Sequence, residues 1–176
     1  LINKRINKDL SKAIFFDRDG VIIKDKHYLN SSKDVELEKD VVKFLRLTKS
    51  RGWLNIFITN QSGIQRNILN WEEYKYITER MVNLIGEDLI DGIYANSHLQ
   101  IDSSNWRKPN PFMILEAKKH FNLNLKESII FGDRLTDLIA GEKAGLKTGI
   151  HLQTGHGNDE RKMVIEYFKY KKMNFE

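Results

Sequence analysis

Short apolar, β-branched runs alternate along this chain with longer stretches in which hydrophobic positions recur every three to four residues. The runs predict strands over 12–16, 54–59, 92–95, 128–131 and 147–152. The longer stretches predict helices over 35–51, 71–90, 111–121 and 135–144, and a last one near 159–172. In the second helix Tyr74, Ile77, Met81, Leu84 and Ile85 share one face. Strands that alternate with helices predict an α/β fold, a mainly parallel sheet of five or six strands covered on both faces. Asn70 with Glu73 reads as a capping box, Asn110–Pro111 as a cap and first turn, and Gly52 and Gly145 as helix stops. The longest irregular stretches, 20–34, 61–70 and 96–110, should emerge on one rim of the sheet.

The 176 residues suit a single domain over 1–176, in which 1–10 form a poorly ordered or peripheral segment. No apolar run approaches a bilayer span, and the start of the chain lacks the continuous apolar core of a secretory signal. The cytoplasm is therefore the expected location. With no cysteine, disulfides, thiolate nucleophiles and cysteine-ligated zinc are excluded. The net charge of +5 favours anionic ligands, but the lysines are scattered and no basic stripe with interleaved aromatics suggests nucleic acid. Nothing in the pattern requires a protein partner, and a monomer is expected.

Candidate chemistry sits at the strand ends. Asp17 and Asp19 follow the first apolar run and precede Gly20, so paired negative charge is expected at the carboxyl end of a buried strand. Thr59-Asn60-Gln61-Ser62-Gly63, Arg107-Lys108-Pro109 and Gly132-Asp133-Arg134 each follow a strand or open a helix. Phosphate monoesters hydrolyse slowly without a nucleophile, an acid for the leaving oxygen and positive charge around the transferring group. In that scheme Asp17 is the nucleophile and Asp19 the general acid and base. The Thr59 hydroxyl and the amides after it bind phosphoryl oxygens, and Lys108 neutralises Asp17 and the phosphoryl group. Mg²⁺ is the expected cofactor, held by Asp17, Asp133 and the backbone carbonyl of Asp19. Asp137, four residues beyond Asp133, would hold a metal-bound water or orient Lys108.

Taken together, these four segments resemble the motifs of haloacid dehalogenase (HAD) superfamily phosphatases. The wording D-R-D-G-V, T-N-Q-S-G-I and R-K-P-x-P-x-M is closest to the branch of heptose 1,7-bisphosphate 7-phosphatases and histidinol phosphatases. The resemblance runs from about residue 13 to 157. It implies a three-layer Rossmann-like fold without a large cap domain, acting on a small phosphorylated sugar or related monoester. Histidinol phosphate is the alternative substrate, and a retired phosphosugar-binding protein the alternative of another class. The resemblance also implies substrate contacts from Arg107, Arg134, Asn60, Gln61, Ser62 and the segment Asp25-Lys26-His27-Tyr28, where His27 replaces the family's glycine.

One departure stands out. Where relatives carry cysteine and histidine zinc ligands, this chain has Ala95, Ser97, Ser104 and Trp106, and the nearby His98 is alone. No structural zinc is expected there; the loop is expected to be held by packing or hydrogen bonds instead, with Trp106 a reasonable anchor. His120 reads as a surface residue, and His151 and His156 as loop histidines without a catalytic part.

Overall fold

A computed structural model describes residues 10–27, 29–98 and 106–176. The expectations placed on residues 1–9, Tyr28 and Ser104 lie outside the described residues.

Six parallel strands form one sheet in the order β3-β2-β1-β4-β5-β6: β1 Ala13–Phe16, β2 Leu54–Asn60, β3 Gly92–Asn96, β4 Ile129–Gly132, β5 Thr148–His151 and β6 Asn174–Phe175. The first strand lies at the centre, in register with β2 (Phe16 opposite Phe57) and with β4 (Phe16 opposite Phe131). All four of its residues are buried, because side chains alternate between two covered faces. Ala13 and Phe15 enter a core closed by α4 (Phe112–Phe121), α5 (Leu135–Ala144) and α6 (Gly157–Phe168). Ile14 and Phe16 enter a second core beneath α1 (Val41–Ser50) and α3 (Trp71–Ile85). The short α2 (Ser62–Gln65) follows β2. Since every strand runs the same way, the carboxyl ends of β1, β2 and β4 share one rim, where open α/β sheets bind ligands.

The Asn70–Glu73 capping box is present, and the five apolar positions of α3 face inward with Leu84 half-buried. Other boundaries differ from expectation. Helix α1 begins at Val41, not near 35, because the preceding residues pair instead: Ile23 bridges Leu37, and the Lys24 N–H donates to the Glu36 carbonyl at 2.9 Å. Helix α3 stops at Ile85, since Gly86 takes φ 103° and a 3₁₀ turn, Glu87–Leu89, follows. Pro111, not Asn110, precedes the first turn of α4, and no side chain caps it. Helix α6 runs Gly157–Phe168, and the chain then turns so that Met173 is buried and β6 forms, a strand the sequence did not announce. No helix among the described residues is long and apolar enough to cross a membrane.

Candidate active site

Directly after β1 the backbone N–H of Asp17 still bonds to Phe131 at 3.0 Å, which fixes the carboxylate at the strand end. Its Oδ1 accepts from Lys108 Nζ at 2.6 Å and from the Arg18 N–H at 2.8 Å. Lys108 arrives from a segment 91 residues away. Its ammonium also lies 2.7 Å from Asp137 Oδ1 and donates to the Ile58 carbonyl at 3.0 Å. Asn60 holds the main chain of Lys108 with two reciprocal bonds of 3.0 Å, so its amide serves the lysine. Asp137 sits in the first turn of α5, and its Oδ2 accepts the Arg134 N–H at 3.0 Å.

Asp19 points elsewhere. Its carboxylate meets the fully buried Arg18 guanidinium at 2.9 and 3.1 Å and the Gln61 amide at 2.8 Å, with the Thr59 hydroxyl at 3.5 Å. Arg18, to which the sequence pattern assigned no role, therefore orients one of the two acids. Burial works against its charge, but Asp19 outweighs that and raises its pKa. An arginine placed between two acids at a strand end was the available signal.

Asp17, Asp133 and Asp137 bring ligand oxygens within 4.8 Å of one another. Burial pushes the Asp17 carboxyl well above the usual carboxylate range; Lys108 opposes this and the neighbouring acids add to it. Burial, with Asp137 beside it, likewise pushes Asp133 up to about 7. Burial would lower the Lys108 pKa, yet Asp137 and Asp17 raise it, so the lysine stays charged. Three carboxylates against one ammonium leave a deficit of two positive charges, which suits a divalent cation. Asp133 Oδ1 is buried with no hydrogen-bond partner among the described residues, which is costly unless a cation takes it. The donor set is all oxygen, as hard cations such as Mg²⁺ prefer. Asp133 Oδ2 is held by the His156 N–H at 2.8 Å. Gly20 and Gly155 crowd the same carboxylate: a Cβ on Gly20, which has φ 82°, would lie 2.6 Å from Oδ2.

Above this centre opens a cavity of about 770 Å³. It brings together Asp17, Asp19, Thr59, Asn60, Gln61, Ser62, Arg107, Lys108, Arg134 and His27. Asp133 lies fully buried beside it. Two expected substrate residues do not line it. Lys26 turns away to Glu36 at 2.7 Å, and Asp25 pairs with His156 at 2.9 Å. Arg66, Thr136 and His156 line the cavity although the sequence pattern did not single them out for it. His151 is not in a loop but ends β5, buried, with Nε2 3.0 Å from the Asp133 carbonyl, and burial lowers its pKa. Trp106 is 39% exposed. The edges of that segment are tied by Arg107, whose Nη1 donates to the His98 carbonyl at 2.9 Å, and by Asn96, whose amide accompanies His98.

Comparison with known proteins places this geometry. The HAD-hydrolase-like family model matches residues 105–167. Over 145 residues the chain is 35% identical to the D-glycero-beta-D-manno-heptose-1,7-bisphosphate 7-phosphatase of Helicobacter pylori, covering 81% of this chain and 84% of that protein. The chain belongs to the HAD phosphatases. As such it is a hydrolase of phosphate monoesters. Another relative of this HAD phosphatase, from Campylobacter jejuni, is 36% identical over 154 residues, 86% of each chain, and is named for the alpha anomer. Among solved structures, the D,D-heptose 1,7-bisphosphate phosphatase of B. bronchiseptica, complexed with magnesium and phosphate, has a TM-score of 0.80 at 26% identity, covering 86% of each chain.

Proposed function

We propose that this HAD phosphatase is a magnesium-dependent enzyme that removes the 7-phosphate from a D-glycero-D-manno-heptose 1,7-bisphosphate. The observation that carries the reading is the convergence of Asp17, Lys108, Asp137 and Asp133 at the floor of a cavity whose upper wall is cationic. Asp17 attacks phosphorus and forms an aspartyl-phosphate as the sugar oxygen leaves. Asp19, held by Arg18 and Gln61, gives that oxygen a proton and then takes one from the water that frees phosphate. Lys108 and the Thr59 hydroxyl steady the phosphoryl oxygens. The Asp17 and Asp133 carboxylates and the Asp19 backbone carbonyl would hold Mg²⁺, which supplies charge neutralisation between nucleophile and phosphate.

The wall supports the choice of substrate class. Burial lowers the Arg107 pKa, and the nearby Arg66 and Arg134 lower it further, so the wall crowds positive charge. A second phosphate relieves that crowding, whereas the ammonium of histidinol phosphate adds to it. The names of the relatives support the same choice. The test is phosphate release from heptose 1,7-bisphosphate and histidinol phosphate with Mg²⁺. We expect higher kcat/KM on the bisphosphate, and loss of at least about 10³-fold in Asp17→Asn with the fold retained by circular dichroism. Higher kcat/KM on histidinol phosphate would overturn the substrate. Well-folded protein without turnover of either would point to a binding protein.

A further inference from the structure

A second cluster of metal-ligating side chains stands at the mouth of the cavity, outside the acidic centre. Asp25, His27 and His156 bring one carboxylate oxygen and two imidazole nitrogens within 4.8 Å of one another. The three come from two segments, the loop after β1 and the turn before α6, more than 100 residues apart in the chain. His156 Nε2 already faces Asp25 Oδ2 at 2.9 Å, and the His27 and His156 rings lie 6.0 Å apart, tilted by 45°. Bonds of about 2.1 Å in tetrahedral geometry set ligand atoms about 3.4 Å apart, close to the span within which the three groups already lie. His27 holds φ 61°, a left-handed conformation that glycine adopts at less cost, and its N–H is pinned by Asp25 Oδ1 at 2.7 Å. The backbone there gains nothing from a side chain, so what this position presents is the imidazole.

We propose that Asp25, His27 and His156 form a site for one borderline divalent cation of the Zn²⁺, Co²⁺ or Ni²⁺ class. Two imidazoles with one carboxylate suit such ions, whereas the all-oxygen acidic centre suits Mg²⁺. The site is distinct from any zinc on the 95–106 segment, whose described residues offer no thiolate and a single imidazole, His98. It ties two segments that already touch, since the Thr154 hydroxyl donates to the Gly20 carbonyl. The same residue that holds Asp133 Oδ2 through its N–H, His156, would hold the rim cation through its ring. A cation there adds positive charge to the wall at the cavity mouth.

The test is titration with Co²⁺ under saturating Mg²⁺, read by visible absorption and calorimetry. One equivalent is expected to bind despite the Mg²⁺. Both His27→Gly and His156→Ala should weaken that event by at least about tenfold, and Asp17→Asn should keep it. His27→Gly relieves the left-handed backbone, so its loss of binding does not report misfolding, and circular dichroism checks His156→Ala. No Mg²⁺-resistant binding, binding unchanged by both histidine variants, or its loss in Asp17→Asn would each overturn the site. None of these outcomes bears on whether the bisphosphate is turned over.

Discussion

The floor and the mouth of the cavity use similar residues under opposite conditions. At the floor, Asp17, Lys108, Asp133 and Asp137 are almost fully buried, and each is held by short bonds from a strand end or a helix start. At the mouth, Asp25, His27, Arg107 and His156 keep solvent contact and rest on loops and turns. Charges packed at low dielectric interact strongly and tolerate little displacement, whereas solvated ones are screened and adaptable. On the proposed roles, the floor fixes a reaction and the mouth fixes a choice of ligand. One can diverge while the other stays.

The comparison breaks most readily at Asp19, which belongs to the floor by its partners and to the cavity by its exposure. Replacing it by asparagine should lower kcat about 10²–10⁴-fold while KM changes little, measured by steady-state phosphate release. A change confined to KM would move Asp19 to the mouth. The next effect concerns cation binding at the floor. Because burial holds Asp133 near 7 in the folded chain against an ordinary 3.8, the metal-free fold binds an extra proton below that value. Its contribution to stability is present at low pH and is lost as pH rises through about 7. Mg²⁺ competes with that proton, so the rise in Tm on adding Mg²⁺ should grow by several degrees from about pH 5.5 to about pH 8. A shift independent of pH would mean that the cation does not sit at Asp133. The smallest effect belongs to the mouth. Arg107→Ala should raise KM for a bisphosphate about tenfold with kcat within about twofold, and should change a monophosphate less. An equal loss of kcat would make Arg107 part of the floor.

The same division governs what could be read from the chain. The strands and the four motif segments were legible because continuous apolar runs ending in polar or glycine residues admit few placements in a parallel sheet. Asp17, Thr59 and Asp133 fell at those ends and Lys108 just ahead of a helix, and the four now share one cavity floor or its lining. The segment 35–40 was misread because its apolar residues suit a helix, while the actual pairing of Ile23 with Leu37 depends on a loop packed beneath it. Residues 174–175 were missed because two residues carry no periodicity, and β6 exists only through its pairing with β5. At the mouth, Lys26 and Asp25 were given to substrate on a motif, yet their partners, Glu36 and His156, are chosen by tertiary contacts that spacing does not encode. Asn60 illustrates the limit: it lines the cavity, but its amide is engaged with Lys108.

The strand order has a consequence for the birth of the protein. Of the six strands the central β1 is made first, but its two neighbours, β2 and β4, are separated by about two fifths of the chain. On the proposed roles, the nucleophile at the end of β1 meets Lys108 and Asp133 only after β4 has been made, so a nascent chain stopped in the middle of translation presents Asp17 without its counter-charge, Lys108. Such sequence-distant pairing folds slowly. On the same roles, activity in this molecule is a late signal, one that requires β4 and not merely the presence of the first motif.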